Sequence, residues 1–320
     1  METARPADLL ISILPSVCIL WLMLLLLLLF YPLLEPTFFY GEVCRWFRKM
    51  VQPKINMMNK DDFFLFHKLY IAWSQDPWER DAFYIREAFL AGPTSYNVIM
   101  EITCTRSSYE LVAIKKAYHS LFKTNLDEDV ARYITSAEIE HKLLTALVRG
   151  YRDEGSVVNE KHANSDALTI YSVLSVPENP LLDDYVVMIL ASRSILHIKS
   201  VLRHYQETTG SSLYDELGTT YPIMKDTLQC LCSPSSYFCK VIEAAMQVPG
   251  EANETRKEDL ARVIVTRADV DMKNIKQEFY RKNGVTLSQR IFRTGSRNYI
   301  EFLSMLITME EDTEIESVSN

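Results

Sequence analysis

Glycine is scarce, with 9 in 320 residues. Neither G-x-x-x-x-G-K-[ST] nor G-x-G-x-x-G occurs, so the chain has no glycine-built loop to cradle the phosphates of a nucleotide. The same scarcity argues against a sheet fold built on tight hairpin turns. Basic excess is missing too. Lys and Arg number 34 against 42 Asp and Glu, a net charge of −8, which removes the electrostatic footprint of a nucleic-acid partner. An acidic lipid surface would be repelled on average, unless a metal ion or a hydrophobic tether bridges the gap. The 6 cysteines show no disulfide framework. Cys230 and Cys232 stand two residues apart, on different faces of a helix, and no histidine completes a metal set with them and Cys239. Core thiols are the direct reading. The 6 histidines form no His-x₃-His pair.

What is present begins with an uncharged run from Leu9 to Leu34 that includes "WLMLLLLLLF". It exceeds the ~20 residues of a membrane-spanning helix. A signal peptide is the competitor, but its apolar region is usually ~7–15 residues and follows a basic start. A misassigned start of the chain is a third reading. Arg45, Arg48, Lys49 and Lys54 follow the run, and only Arg5 precedes it. If the run is an anchor, this asymmetry leaves the remainder on the cytoplasmic side, where the sequon at Asn253-Glu254-Thr255 would go unused.

Beyond the leader the chain nearly repeats itself. "ITCTRSSYELVAIKKAY" (Ile102–Tyr118), "ILASRSILHIKSVLRHY" (Ile189–Tyr205) and "VIVTRADVDMKNIKQEF" (Val263–Phe279) share one frame around Arg106, Arg193 and Arg267. Ile102, Ile189 and Val263 precede the arginines. Leu111, Ile198 and Met272, then Ile114, Val201 and Ile275, then Tyr118, Tyr205 and Phe279 follow them. This spacing places one apolar stripe on a helix that starts after each arginine, and the Thr/Ser-Arg step reads as a corner between two helices. The arginines are 87 and 74 residues apart, which suits units of four or five helices. The expected fold is all-α: an array of such repeats forming a curved disc, preceded by one hydrophobic helix. The boundaries fall at a leader over 1–44, a partial repeat over 45–91, repeats over 92–165, 166–246 and 247–310, and an acidic tail over 311–320.

These repeats, with "WERDA", "EITCTRSS", "AYHSLF", "LDEDVA", "YFCKVIEAAM" and "VIVTRADVDMKNIKQEFYRKNG" in order, resemble the plant annexin family over roughly Asn59–Met309. The resemblance implies five-helix repeats around a polar centre, with one face that docks on phospholipid through calcium. It also implies that the leader stands where the family keeps most of its first repeat.

The family's calcium site is a G-x-G-T loop completed by a distant Asp or Glu. Glycines turn several carbonyls toward one ion, and a bidentate acid closes the shell. Here the loop falls on Ala91-Gly92-Pro93-Thr94, with Tyr133 at the acid's place. In the next repeat it falls on Glu178-Asn179-Pro180-Leu181. In the last it falls on Ala252-Asn253-Glu254-Thr255, with Thr294 at the acid's place. No intact set remains. Glu254 is the one candidate oxygen donor, and a helix-start acid favourable to the helix dipole is its competing reading. Asp183-Asp184 and Glu128-Asp129 read as first-turn or surface acids. The repeat arginines Arg106, Arg193 and Arg267 read as structural, binding carboxylates or helix-end carbonyls rather than lipid phosphate. Cys104 and Cys230 match positions at which plant annexins carry cysteines linked to redox behaviour, which implies a peroxide-sensitive thiol as an alternative to a core thiol.

The expected function is therefore non-enzymatic binding to an acidic phospholipid membrane at its cytoplasmic face, with self-association as a further partner expectation and no nucleic acid. Calcium enters as a cofactor through the resemblance only. A redox-active or nucleotide-hydrolysing enzyme on the same scaffold, or a lipid-independent interaction scaffold, are the alternatives.

Overall fold

Asp76 opens the first complete helix because its carboxylate accepts the backbone N–H of Trp78 at 2.9 Å, while Pro77 sits where a helix needs no N–H. The computed structural model describes residues 68–134, 138–176, 181–218, 220–246, 254–292 and 299–308. The leader, residues 45–67 of the partial repeat and the acidic tail lie outside the described residues, as does Thr294. Residues 68–74 are helical and are called α1. There follow α2 (Pro77–Ala91), a 3-10 turn (Pro93–Ser95), α3 (Tyr96–Thr105), α4 (Ser108–Phe122), α5 (Leu126–Tyr133) and α6 (Glu138–Arg149). The next group is α7 (Glu160–Leu174), α8 (Leu181–Ser192), α9 (Ile195–Thr209), α10 (Leu213–Leu217) and α11 (Pro222–Cys232). The last is α12 (Pro234–Met246), α13 (Glu254–Arg267), α14 (Met272–Asn283), α15 (Leu287–Ile291) and α16 (299–308). The described residues contain no strand. Each group holds five helices, and the short fourth helix recurs at α5, α10 and α15.

Every position of the repeated apolar stripe is buried, from Ile102 through Tyr118, Ile189 through Tyr205 and Val263 through Phe279. Burying an aliphatic or aromatic side chain contributes roughly 1.5–3 kcal/mol, so the stripe is the main cohesive term within each unit. It seats α4 on α2, α9 on α7 and α14 on α12. The units join through α6 against α8 and α3 against α11. Among the described residues no helix is long and apolar enough to cross a membrane; the Leu9–Leu34 run is not among them.

The third helix of each unit stops the same way. Lys123 (φ 59), Gly210 (φ 73) and Gly284 (φ 68) are all left-handed caps, at the repeat spacing. Lysine alone bears the side-chain strain of that conformation, on the order of 1–2 kcal/mol, part of which glycine returns as unfolded-chain entropy. Lys123→Gly should raise stability by about 0.5–1 kcal/mol in a denaturant titration.

Candidate functional site

The loop after α2 is the place at which the first calcium set would form. Gly92 (φ 87) turns the chain and accepts the Ser95 N–H at 3.0 Å. Tyr96 then reaches across, donating its hydroxyl to the Tyr133 carbonyl at 2.7 Å. The Tyr133 ring, standing where the resemblance puts an acid, stacks on Phe89 at 5.5 Å, and the Arg86 guanidinium lies over it at 5.2 Å. An aromatic ring and a carbonyl already bonded occupy that position, with the Arg86 guanidinium over the ring. A divalent cation does not fit this donor set. Among the described residues no group of three His, Cys, Asp or Glu is placed to hold a metal ion. Glu178, Asn179 and Pro180 of the second loop, and Ala252 and Asn253 of the third, lie outside the described residues. Glu254 is the first residue of α13, with Thr255 in its first turn.

The Tyr96–Tyr133 bond puts the start of α3 beside the end of α5. Lys142, early in α6, pairs with Asp184, early in α8, at 2.9 Å, so the starts of α6 and α8 lie side by side. Tyr299, which begins α16, donates to the Lys257 carbonyl near the start of α13 at 2.7 Å. Glu258 and Asp259 line one cavity with Leu90 and Ser95. The first turns of α13 and α16 therefore lie together, with α13 beside the α2–α3 turn. Three large apolar side chains are exposed at helix ends: Leu90 near the end of α2, Val176 after α7 and Phe292 after α15, by 66%, 54% and 65%. Exposed core-type residues at helix ends are what an apolar partner surface would require.

Arg106 and Arg193 each bind an acid on the first helix of their own unit. Arg106 Nε donates to Asp81 at 2.7 Å and Arg193 Nε to Asp166 at 3.0 Å. The last repeat departs from this pattern. Phe238 stands at the corresponding place on α12, so the Arg267 guanidinium lies over its ring at 4.7 Å and turns to Asp271 at 2.8 Å. Asp166 also accepts from Tyr185 at 3.0 Å and contacts His197 Nε2 at 2.9 Å.

Asp129 departs from its reading as a surface acid. It does lie in the first turn of α5, but it is fully buried. It accepts from Tyr118, Thr124, Arg86 and Arg132 at 2.8–3.1 Å. The hydroxyl of Tyr118, at the end of the apolar stripe, requires an inward-facing acceptor. Asp184 remains a surface acid paired with Lys142.

At the centre, two units meet on one carboxylate. Glu101 of α3 accepts from Arg262 of α13, from Tyr237 of α12 at 3.0 Å and from Asn97 at 3.4 Å. Arg262 also binds Asp259 at 3.2 Å. Burial works against the Arg262 charge, but Glu101 and Asp259 outweigh it and hold the guanidinium above its usual value. Burial, reinforced by Glu101, pushes the Tyr237 hydroxyl far up. Beside this hub lies a cavity of about 470 Å³, lined by Lys68, Tyr84, Glu87, Val98, Glu258 and Arg262 among others. Sequence reasoning passed over Glu101 and Arg262, although both stand five residues before a repeat arginine, with opposite charges at matching register.

Cys104, Cys230, Cys232 and Cys239 are free and buried. Burial pushes the Cys230 thiol well up, with Cys104 adding to the effect, and it pushes Cys232 up to about 11 and Cys239 up to about 12. Tyr84 and Tyr205 rise to about 12 for the same first reason. These groups are neutral when protonated, and the folded state holds the proton more tightly than the unfolded chain. Their contribution is complete below the unfolded thiol value of 9 and is lost as pH rises through the folded values. Thermal melts should therefore fall progressively between about pH 9 and pH 12.

The annexin family profile, described simply as Annexin, matches residues 80–147. Annexin D4 of Arabidopsis thaliana is 36% identical over 278 residues, covering 86% of this chain and 85% of the relative. Annexin Gh1 of Gossypium hirsutum is 36% identical over 246 residues, covering 75% and 76%. Among solved structures, a point mutant of annexin A8 with an intact N-terminus superposes with a TM-score of 0.69 at 26% identity, covering 79% of this chain and 78% of that one.

Proposed function

The chain belongs to the annexin family, whose general role is calcium-dependent phospholipid binding, and from that premise we propose that it is a non-enzymatic protein attaching to phospholipid membrane through its loop face with little help from calcium. The observation that carries this reading is the exchange at the loops. A carboxylate position holds Tyr133 stacked on Phe89 under Arg86, while Leu90, Val176 and Phe292 are exposed at helix ends. A fully buried side chain of this kind is worth roughly 1.5–3 kcal/mol, so even partial insertion of three would hold a protein on a bilayer. Net charge of −8 makes apolar insertion a better source of affinity than long-range attraction. The Leu9–Leu34 run, followed by its basic residues, would add a second attachment and set the cytoplasmic side. The buried thiols favour binding over redox chemistry, because burial moves Cys230 away from the thiolate form that such chemistry needs. Calcium affinity is expected at millimolar or weaker, the range reached when a calcium loop loses ligand charge and rigidity.

Flotation of the full chain with phospholipid vesicles tests this. Recovery should differ little between chelator and micromolar calcium, and L90S/V176S/F292S should lower the bound fraction about tenfold or more. A saturable calcium requirement in the micromolar range would restore the family's usual mode. If the triple variant floated like the unchanged chain, attachment would belong to the leader alone.

A further inference from the structure

We propose that the cavity between α2, α3 and α13 receives the primary ammonium of a phosphoethanolamine-type group, presented by an amine-bearing phospholipid at the loop face; this rests on the membrane reading above. Its volume of about 470 Å³ falls within the ~300–1,000 Å³ of small-ligand sites. Leu90, Ala91 and Ser95 line it on the loop side, and Leu90 is largely exposed, so a headgroup would enter from the membrane.

The charges select the ligand. Glu87, Glu258 and Asp259 line the cavity against Lys68 and Arg262. Both cations are already engaged. Lys68 is shared between Glu87 at 3.3 Å and Glu258 at 3.1 Å, and Arg262 is held by Glu101 and Asp259. Among the described residues of the lining an anion finds no free partner. A metal ion finds no set of three ligands among the described residues. A primary ammonium suits the excess of carboxylates, because its three N–H donors can be divided among oxygens that come from different helices. A quaternary ammonium has no N–H to give and favours an aromatic cage, whereas Tyr84 is the one aromatic among the described residues of the lining. The phosphate then stays outside, toward solvent.

The test compares the full chain, in chelator, on vesicles of phosphatidylcholine alone and of phosphatidylcholine mixed with phosphatidylethanolamine. Binding should be at least about fivefold tighter to the mixture. Soluble glycerophosphoethanolamine should remove that advantage and glycerophosphocholine should not, which separates headgroup recognition from bilayer packing. Glu258→Gln, at a half-exposed position that keeps a partner for Lys68, should abolish the preference. Asp184→Asn, an acid outside the cavity, should retain it. Equal binding to the two vesicles, or a preference that survives Glu258→Gln, overturns the proposal. Calorimetric titration with glycerophosphoethanolamine reads the cavity without a membrane: heat that saturates and is lost in Glu258→Gln supports the proposal even if flotation fails, and its absence counts against it.

Discussion

Glu101→Leu should lower the unfolding free energy by about 3–5 kcal/mol, the usual cost of leaving one partner of a buried ion pair alone. Arg262 is buried and would keep only Asp259, which stands at the protein's edge, 42% exposed. The Tyr237 hydroxyl would lose its acceptor. Since Glu101 lies on α3, Tyr237 on α12 and Arg262 on α13, the loss falls on the joint between the second and last repeats rather than on either alone. Denaturant titration of the single variants and of E101L/R262L separates the terms. The double variant should recover at least about half the loss, because an apolar pair of similar volume is often as stable as a buried ion pair. A single-variant loss below about 1 kcal/mol would show that the hub is held by its surroundings and not by charge.

The apolar frame was fully legible in the amino-acid sequence, because burial repeats at helical spacing. Ile114, Val201 and Ile275 each read as core from their neighbours alone, and each is buried. The polar framework was harder to read, since one carboxylate in a helix looks the same whether it faces water or three donors. Asp129 follows Asp127 and Glu128 in an acidic first turn, and only its distance to the Tyr118 hydroxyl separates it from them. Glu101 and Arg262 could have been paired from their common register, but pairing across 161 residues needs the arrangement of the repeats as well. The loop face was half visible. Loss of glycine and acid showed at Ala91–Thr94 and Tyr133, whereas the exposure of Leu90, Val176 and Phe292 depends on how the helix ends pack.

The three repeat arginines should not behave alike, although their sequence frame is the same. Arg106 is almost wholly buried, as is Asp81; one Asp81 oxygen accepts from Arg106, and the other has only Arg80 at 3.9 Å and no hydrogen bond. Arg106→Ala strands that carboxylate, and the expected loss is about 3–5 kcal/mol. Arg267→Ala gives up a ring stack on Phe238 and a bond to Asp271, which lies close enough to solvent to recover some hydration. About 1–3 kcal/mol is expected there. Arg193 is 40% exposed, and Asp166 keeps Tyr185 and His197 when it is removed, so Arg193→Ala should cost about 1 kcal/mol or less. Unfolding midpoints in the order Arg193→Ala, then Arg267→Ala, then Arg106→Ala, from highest to lowest, would tie each arginine to its own carboxylate environment. Near-equal losses, or a collapse of vesicle binding in Arg193→Ala with its melting unchanged, would instead assign the arginines a common role in gripping lipid phosphate.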